Sequence, residues 1–194
     1  MRPTSTATFY LKPDNGQKPN ELFTPATFAK KMADLQTKMN TGNAEAAYLL
    51  GCGAYNMGYF GNSWMLSRRG WSSVEYEYMY PPRDLSDEDY YIAKQAKIYF
   101  EKAITLAKEP ELAAKAAFGA SLCEQNAFAI FRAAAGRAIG YEEKEQIAFQ
   151  SRMKIEAHQR LSKYFSLLQK KYTEAQYTRE VIQECAIYRD FIGE

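Results

Sequence analysis

The chain has 194 residues, which is enough for one domain or two small ones. Hydrophobic residues make up 46% and charged residues 25%, a balance that is typical of a globular protein and excludes wholesale disorder. Lys and Arg number 25 against 23 Asp and Glu, so the formal net charge of +2 argues against nucleic-acid binding. No run of about eighteen residues lacks a charge, and no transmembrane helix is predicted.

The cysteines and the histidine limit the possible chemistry. Three widely spaced cysteines (Cys52, Cys123 and Cys185) and one histidine (His158) are too few and too dispersed for a zinc site. We expect the three cysteines to be buried thiols. A Cys123–Cys185 disulfide is the alternative if the protein is in an oxidising compartment. His158 falls on or beside a predicted apolar stripe, which favours a packed or boundary residue over a general base. No cofactor or catalytic signature occurs, so we predict no enzyme, no cofactor and no metal.

In chain order, residues 1–24 contain prolines and polar residues and predict an extended N-terminal arm. Residues 25–194 predict one helical domain. Within it, residues 61–85 interrupt the helical pattern with glycines, prolines and many aromatic residues. This connection is far longer than an ordinary helix-to-helix loop, so we interpret it as an insertion.

The first two helices are predicted from their caps. Thr24 followed by Pro25 predicts a helix that begins there and ends at Gly42. Asn43 predicts the cap of a second helix over residues 44–60.

Small residues follow the predicted helices at helical spacing. Gly51 and Gly58 in the second helix predict that another helix backbone approaches closely, because glycine is otherwise unfavourable there. A third helix is predicted to start at Ser86, with acidic residues in its first turn. Pro110 ends that helix and opens a fourth. The narrow apolar seam of the third helix is Ala93, Ala96, Phe100, Ala103 and Ala107.

The C-terminal half is also predicted to be helical. The fourth helix buries Ala116 and Cys123 and continues through Phe131, and a long helix covers about 141–171. Thr173–Gln176 predicts a capping box for a last helix. Six helices with short loops predict an all-α protein of antiparallel helix pairs. The predicted buried stripe of the long helix is Ala148, Ile155, His158, Leu161, Phe165, Leu168 and Tyr172.

Two predicted helices together resemble one tetratricopeptide repeat that is split by the insertion. The matching residues are Leu50, Gly51, Tyr55, Gly58, Phe60, Ala96, Phe100, Ala103 and Pro110. Ala47 stands where the repeat usually has Trp, and residues 61–85 stand where the repeat has a short turn between its two helices. The resemblance implies stacked antiparallel helix pairs, and it implies no catalytic residue.

Several short segments also resemble the C-terminal portion of uncharacterised tetratricopeptide-containing proteins from Bacteroidetes. These segments are Ala47 to Met57, Tyr59 to Trp64, Tyr99 to Ala103, Glu184–Cys185 and Tyr188 to Phe191. The resemblance implies a bacterial cell-envelope setting, while the compartment itself stays unknown.

The predicted function is a non-catalytic helical-repeat module for protein–protein interaction or assembly. The alternative is a carbohydrate-binding module that uses the insertion, because exposed aromatic faces can stack on sugar rings. The predicted partner- or ligand-binding residues are Trp64, Arg68, Arg69, Trp71, Tyr76, Tyr78 and Tyr80.

An enzyme is the third hypothesis, and its only support is a group of carboxylates. The group is Glu75, Glu77, Asp84, Asp87, Glu88 and Asp89. Two of them could act in glycoside hydrolysis. The last three are explained more simply as the acidic first turn of the third helix.

Overall fold

The computed structural model describes residues 24–61, 63 and 88–193. Of these residues 81% are helical and none is in a strand, which confirms the all-α class. Eight helices occur in the described part of the chain. They are α1 (Pro25–Asn40), α2 (Ala44–Asn56), α3 (Glu88–Tyr91), α4 (Lys94–Leu106), α5 (Pro110–Gly136), α6 (Glu143–Lys170), α7 (Gln176–Glu184) and α8 (Ala186–Ile192).

The caps of α1 and α2 form as predicted. Thr24 and Thr27 make a reciprocal capping box ahead of α1, and the side chain of Asn43 accepts the Ala46 N–H at 2.8 Å. Gly42 follows α1 with a φ of +90°, a conformation that glycine adopts without strain. The second helix ends at Asn56, short of the predicted end at residue 60.

The predicted third helix is broken in two. Ala93, with a φ of +53°, separates α3 from α4. The Asp89 carboxylate accepts the Gln95 N–H at 2.9 Å and so caps α4 from within the preceding turn. Asp89 lies in the first turn of α3, as expected, but the prediction of one continuous helix was wrong because the left-handed backbone of Ala93 interrupts it and a new helix starts at Lys94. The predicted start at Ser86 lies outside the described residues.

A seam of small residues around Phe100 joins α2, α4 and α5. Phe100, Ala96 and Ala103 on α4 are completely buried. A methyl group added at Gly51 on α2 would overlap the Phe100 ring, and one added at Gly119 on α5 would lie 2.7 Å from its Cε1. The predicted close approach at Gly51 is therefore real, but an aromatic ring occupies the space rather than another helix backbone.

The second predicted close approach, at Gly58, does involve backbone. A methyl group there would lie 2.9 Å from the Tyr90 carbonyl oxygen, which also accepts the Tyr59 N–H at 2.7 Å. The rings of Tyr59, Tyr90 and Tyr91 pack together with Ile130 of α5. These contacts tie α3 to the end of α2.

The two longest helices, α5 and α6, pack against each other. The predicted continuation of α5 through Phe131 is confirmed. The predicted stripe of α6 is correct only in its C-terminal half, which buries Leu161, Phe165 and Leu168. Ala148 and Ile155 are exposed, because the inner face of the N-terminal half is instead formed by Phe149 and Met153.

The C-terminal region differs from its prediction at both ends. No capping box forms at Thr173, whose hydroxyl donates to the Gln169 carbonyl of α6. The helix begins at Gln176 without a side-chain cap, and the Glu111 carboxylate accepts the Tyr177 N–H at 3.3 Å. At Cys185 the chain breaks again into α7 and α8.

Neither Cys123 nor Cys185 forms a disulfide. Cys123 is buried in the contact between α2, α4 and α5, whereas Cys185 lies half-buried at the junction of α7 and α8. The predicted burial is confirmed for Cys52 and Cys123 and is only partial for Cys185.

Candidate functional site

The aromatic binding site predicted in the insertion lies outside the described residues, so its contacts stay a prediction. Its members are Trp64, Arg68, Arg69, Trp71, Tyr76, Tyr78 and Tyr80. The same holds for most of the carboxylate group of the enzyme hypothesis. Of that group, the structure describes the side chain of Asp89 alone, and that side chain caps α4.

Charged side chains meet where α4, α5 and α6 come together, and we call this group the charged cluster. Glu101 accepts hydrogen bonds from Lys163 Nζ at 2.5 Å and from Tyr164 Oη at 2.7 Å. Lys97 forms an ion pair with Glu124 beside them. Each contact joins two helices, so the cluster links α4 to both of its neighbours.

The electrostatics of the cluster favour its observed charge state. Partial burial by itself raises the pKa of Glu101. The hydrogen bonds from Lys163 and Tyr164, together with the positive charges of Lys163 and Lys97, have the larger combined effect, and the pKa of Glu101 therefore lies below its usual value. Burial and donation to Glu101 raise the pKa of Tyr164. Glu101 therefore stays ionised and Tyr164 stays neutral near pH 7.

Two neutral groups lie beside the cluster or next to it: Cys123 interacts with the cluster charges, and Tyr55 interacts with Cys123. Burial raises the pKa of the Cys123 thiol, so this side chain remains protonated and is a poor nucleophile. Burial likewise raises the pKa of Tyr55, whose hydroxyl donates to Asn126 Oδ1 at 3.3 Å. These properties fit a contact that holds helices together.

A second feature is an apolar surface on α6. Ile147 and Ile155 are 59% and 61% exposed, and Ser151 lies between them. We call these three residues the open stripe. His158 lies one turn further along α6, and its exposed ring stacks on Phe191 of α8 at a centroid distance of 4.7 Å. This places His158 at the boundary of the packed region, in agreement with its sequence interpretation.

Basic side chains lie along the open stripe. Lys144 lies eleven residues before Ile155, which is about three helical turns, and Lys154 lies seven residues after Ile147, which is about two turns. Each lysine is therefore on nearly the same side of α6 as one of the isoleucines. Neither lysine forms an ion pair with another described residue. Both ammonium groups are therefore available to a molecule that contacts this surface.

A surface cleft of about 650 Å³ lies between the start of α5 and the loop from α6 to α7. Its charged lining contains both signs: Glu109, Glu111, Lys170, Lys171 and Glu174. Glu111 already accepts a backbone N–H, and the acidic and basic side chains that line the cleft are nearly equal in number. The cleft therefore favours neither a negatively nor a positively charged ligand.

Among the described residues no group of His, Cys, Asp and Glu side chains could hold a metal ion. In the part of the chain that the structure describes, we find no helix with the length and hydrophobicity of a transmembrane span. Comparison with protein families, curated proteins and solved structures finds no match to this chain. The resemblance to tetratricopeptide repeats, and the bacterial origin it implies, therefore stay predictions.

Sequence reasoning missed the open stripe because Ile155 fits the same apolar periodicity as the buried Leu161 and Phe165. No local signal in the sequence distinguishes the exposed residue from the buried ones, because the difference lies in the lengths of the helices that the structure shows. α6 has 28 residues and is about 42 Å long, whereas α7 and α8 have 9 and 7 residues. Two such short helices can cover only part of α6.

Proposed function

We propose that the protein is a helical interaction or assembly module, built of antiparallel helix pairs like a tetratricopeptide repeat, that holds a protein partner on the N-terminal half of α6. The observation that carries this proposal is the exposure of Ile147 and Ile155 on one surface of a long helix. The two side chains lie about two helical turns apart on one side of α6. Apolar side chains that are exposed on one side of a helix are one feature of surfaces that bind a partner.

The packing beneath this surface supports the proposal. Phe149 and Met153 anchor the N-terminal half of α6, and Arg132 of α5 donates to Gln150 of α6 at 3.1 Å. The helix is therefore held from its inner side, which leaves the outer side to present its side chains at fixed spacing. A fixed surface loses less conformational entropy on binding than a mobile one.

The test is affinity capture from a lysate of the source cells with three forms of the chain. The wild type is compared with an Ile147→Asp/Ile155→Asp variant and with Ile98→Asp. Ile98 on α4 is 50% exposed and is a matched control of the same residue type on another helix. We expect a partner that is retained by the wild type and the control and is lost from the double variant.

Circular dichroism of all three forms checks that they are equally folded. The proposal is contradicted if the captured proteins are the same for the double variant as for the wild type, or if none is captured by any form.

A further inference from the structure

We draw no further inference here: the strongest candidate, the exposed apolar surface of the open stripe on the N-terminal half of α6, carries nothing beyond the proposed function, because the acidic and basic side chains around it balance and nothing in the structure shows what covers it.

Discussion

The seam around Phe100 and the N-terminal half of α6 use apolar side chains in opposite ways. Phe100 is fully buried against two glycines on two different helices, so its ring is enclosed by this chain alone. Ile147 and Ile155 are more than half exposed. The first arrangement contributes to folding stability, whereas the second leaves apolar surface exposed to solvent.

This contrast shows that apolar periodicity alone does not say what covers a helix face. Both helices carry apolar residues at helical spacing. On α4 the neighbours α2 and α5 are present and close. On α6 the short helix α8 contacts His158 and Phe165 in the C-terminal half, whereas α7 packs mainly on α5. The contrast can be measured as the loss in the free energy of unfolding when a side chain is removed from each region.

The largest expected effect is at the seam. Phe100→Ala removes a completely buried ring from between α2 and α5, and we expect the free energy of unfolding to fall by about 3–5 kcal/mol. Urea denaturation followed by circular dichroism measures this. The control is Ile98→Ala on the same helix, where the side chain is 50% exposed and the expected change is within about 0.5 kcal/mol. Equal losses for both variants would contradict the conclusion that Phe100 is enclosed between α2 and α5.

The next largest effect is expected on the inner side of α6, and it is compared with the effect of a substitution on the outer side. Met153→Ala removes a buried side chain from the inner side, and we expect a loss of about 2–4 kcal/mol. Ile155→Ala, two residues away on the open stripe, should change the free energy of unfolding by less than about 0.5 kcal/mol. Thermal and urea unfolding of both variants measure the difference. If Ile155→Ala proved the costlier, the stripe would be covered within the chain itself.

A smaller effect is expected from filling the seam. Gly119→Ala places a methyl group 2.7 Å from the Phe100 ring. Overpacking should outweigh the gain in helix propensity, with a net loss of about 1–2 kcal/mol in the free energy of unfolding. Gly136→Ala at the end of α5 is the matched control, because its methyl group would lie 3.5 Å from Phe149, an ordinary contact. The stability of this control should be unchanged or higher, and a loss equal to that of Gly119→Ala would contradict the overpacking.

The smallest effect concerns the charged cluster and pH. Because the pKa of Glu101 is lowered in the folded state, its ionised form adds stability at neutral pH, and this contribution is lost as the pH falls through the folded pKa. The Glu101→Gln variant should therefore be less stable than the wild type by at most about 1 kcal/mol at neutral pH. The difference should shrink from about pH 6 to about pH 3.

Urea unfolding at several pH values measures this difference, and a Lys163→Met background provides the control. Without Lys163, Glu101 loses a charged partner, so the pH dependence of the difference should become weaker. A difference that grows toward low pH would contradict the assigned role of Glu101.

Much of the fold could be predicted from local chemistry. Thr24 and Asn43 form caps through contacts within a few residues, and Pro110 opens α5 because its ring suits the first helical turn. The predicted burial of Ala96 and Phe100 is also confirmed, since helical spacing puts them on one face.

The breaks at Ala93 and Cys185 could not be predicted in the same way. Asp89 is as favourable in the first turn of one long helix as it is as the cap of a new one, and Glu111 reaches the start of α7 from a residue 66 positions earlier. A contact between distant residues accompanies the first break, because the Tyr90 carbonyl accepts the Tyr59 N–H. At the second break the Arg189 side chain of α8 donates to the Ile182 and Gln183 carbonyls in the last turn of α7.

Capping and periodicity act over one or two helical turns. They were therefore sufficient to establish that this protein is helical, where α1, α2 and α5 begin, and that Ala96, Phe100 and Ala103 share one buried face. Contacts between distant helices determine that Phe100 fills the space beside two glycines, that Glu101 meets Lys163 and Tyr164, and that α8 leaves the open stripe exposed. These outcomes depend on how far each helix reaches along its neighbour, and a local pattern does not carry that information.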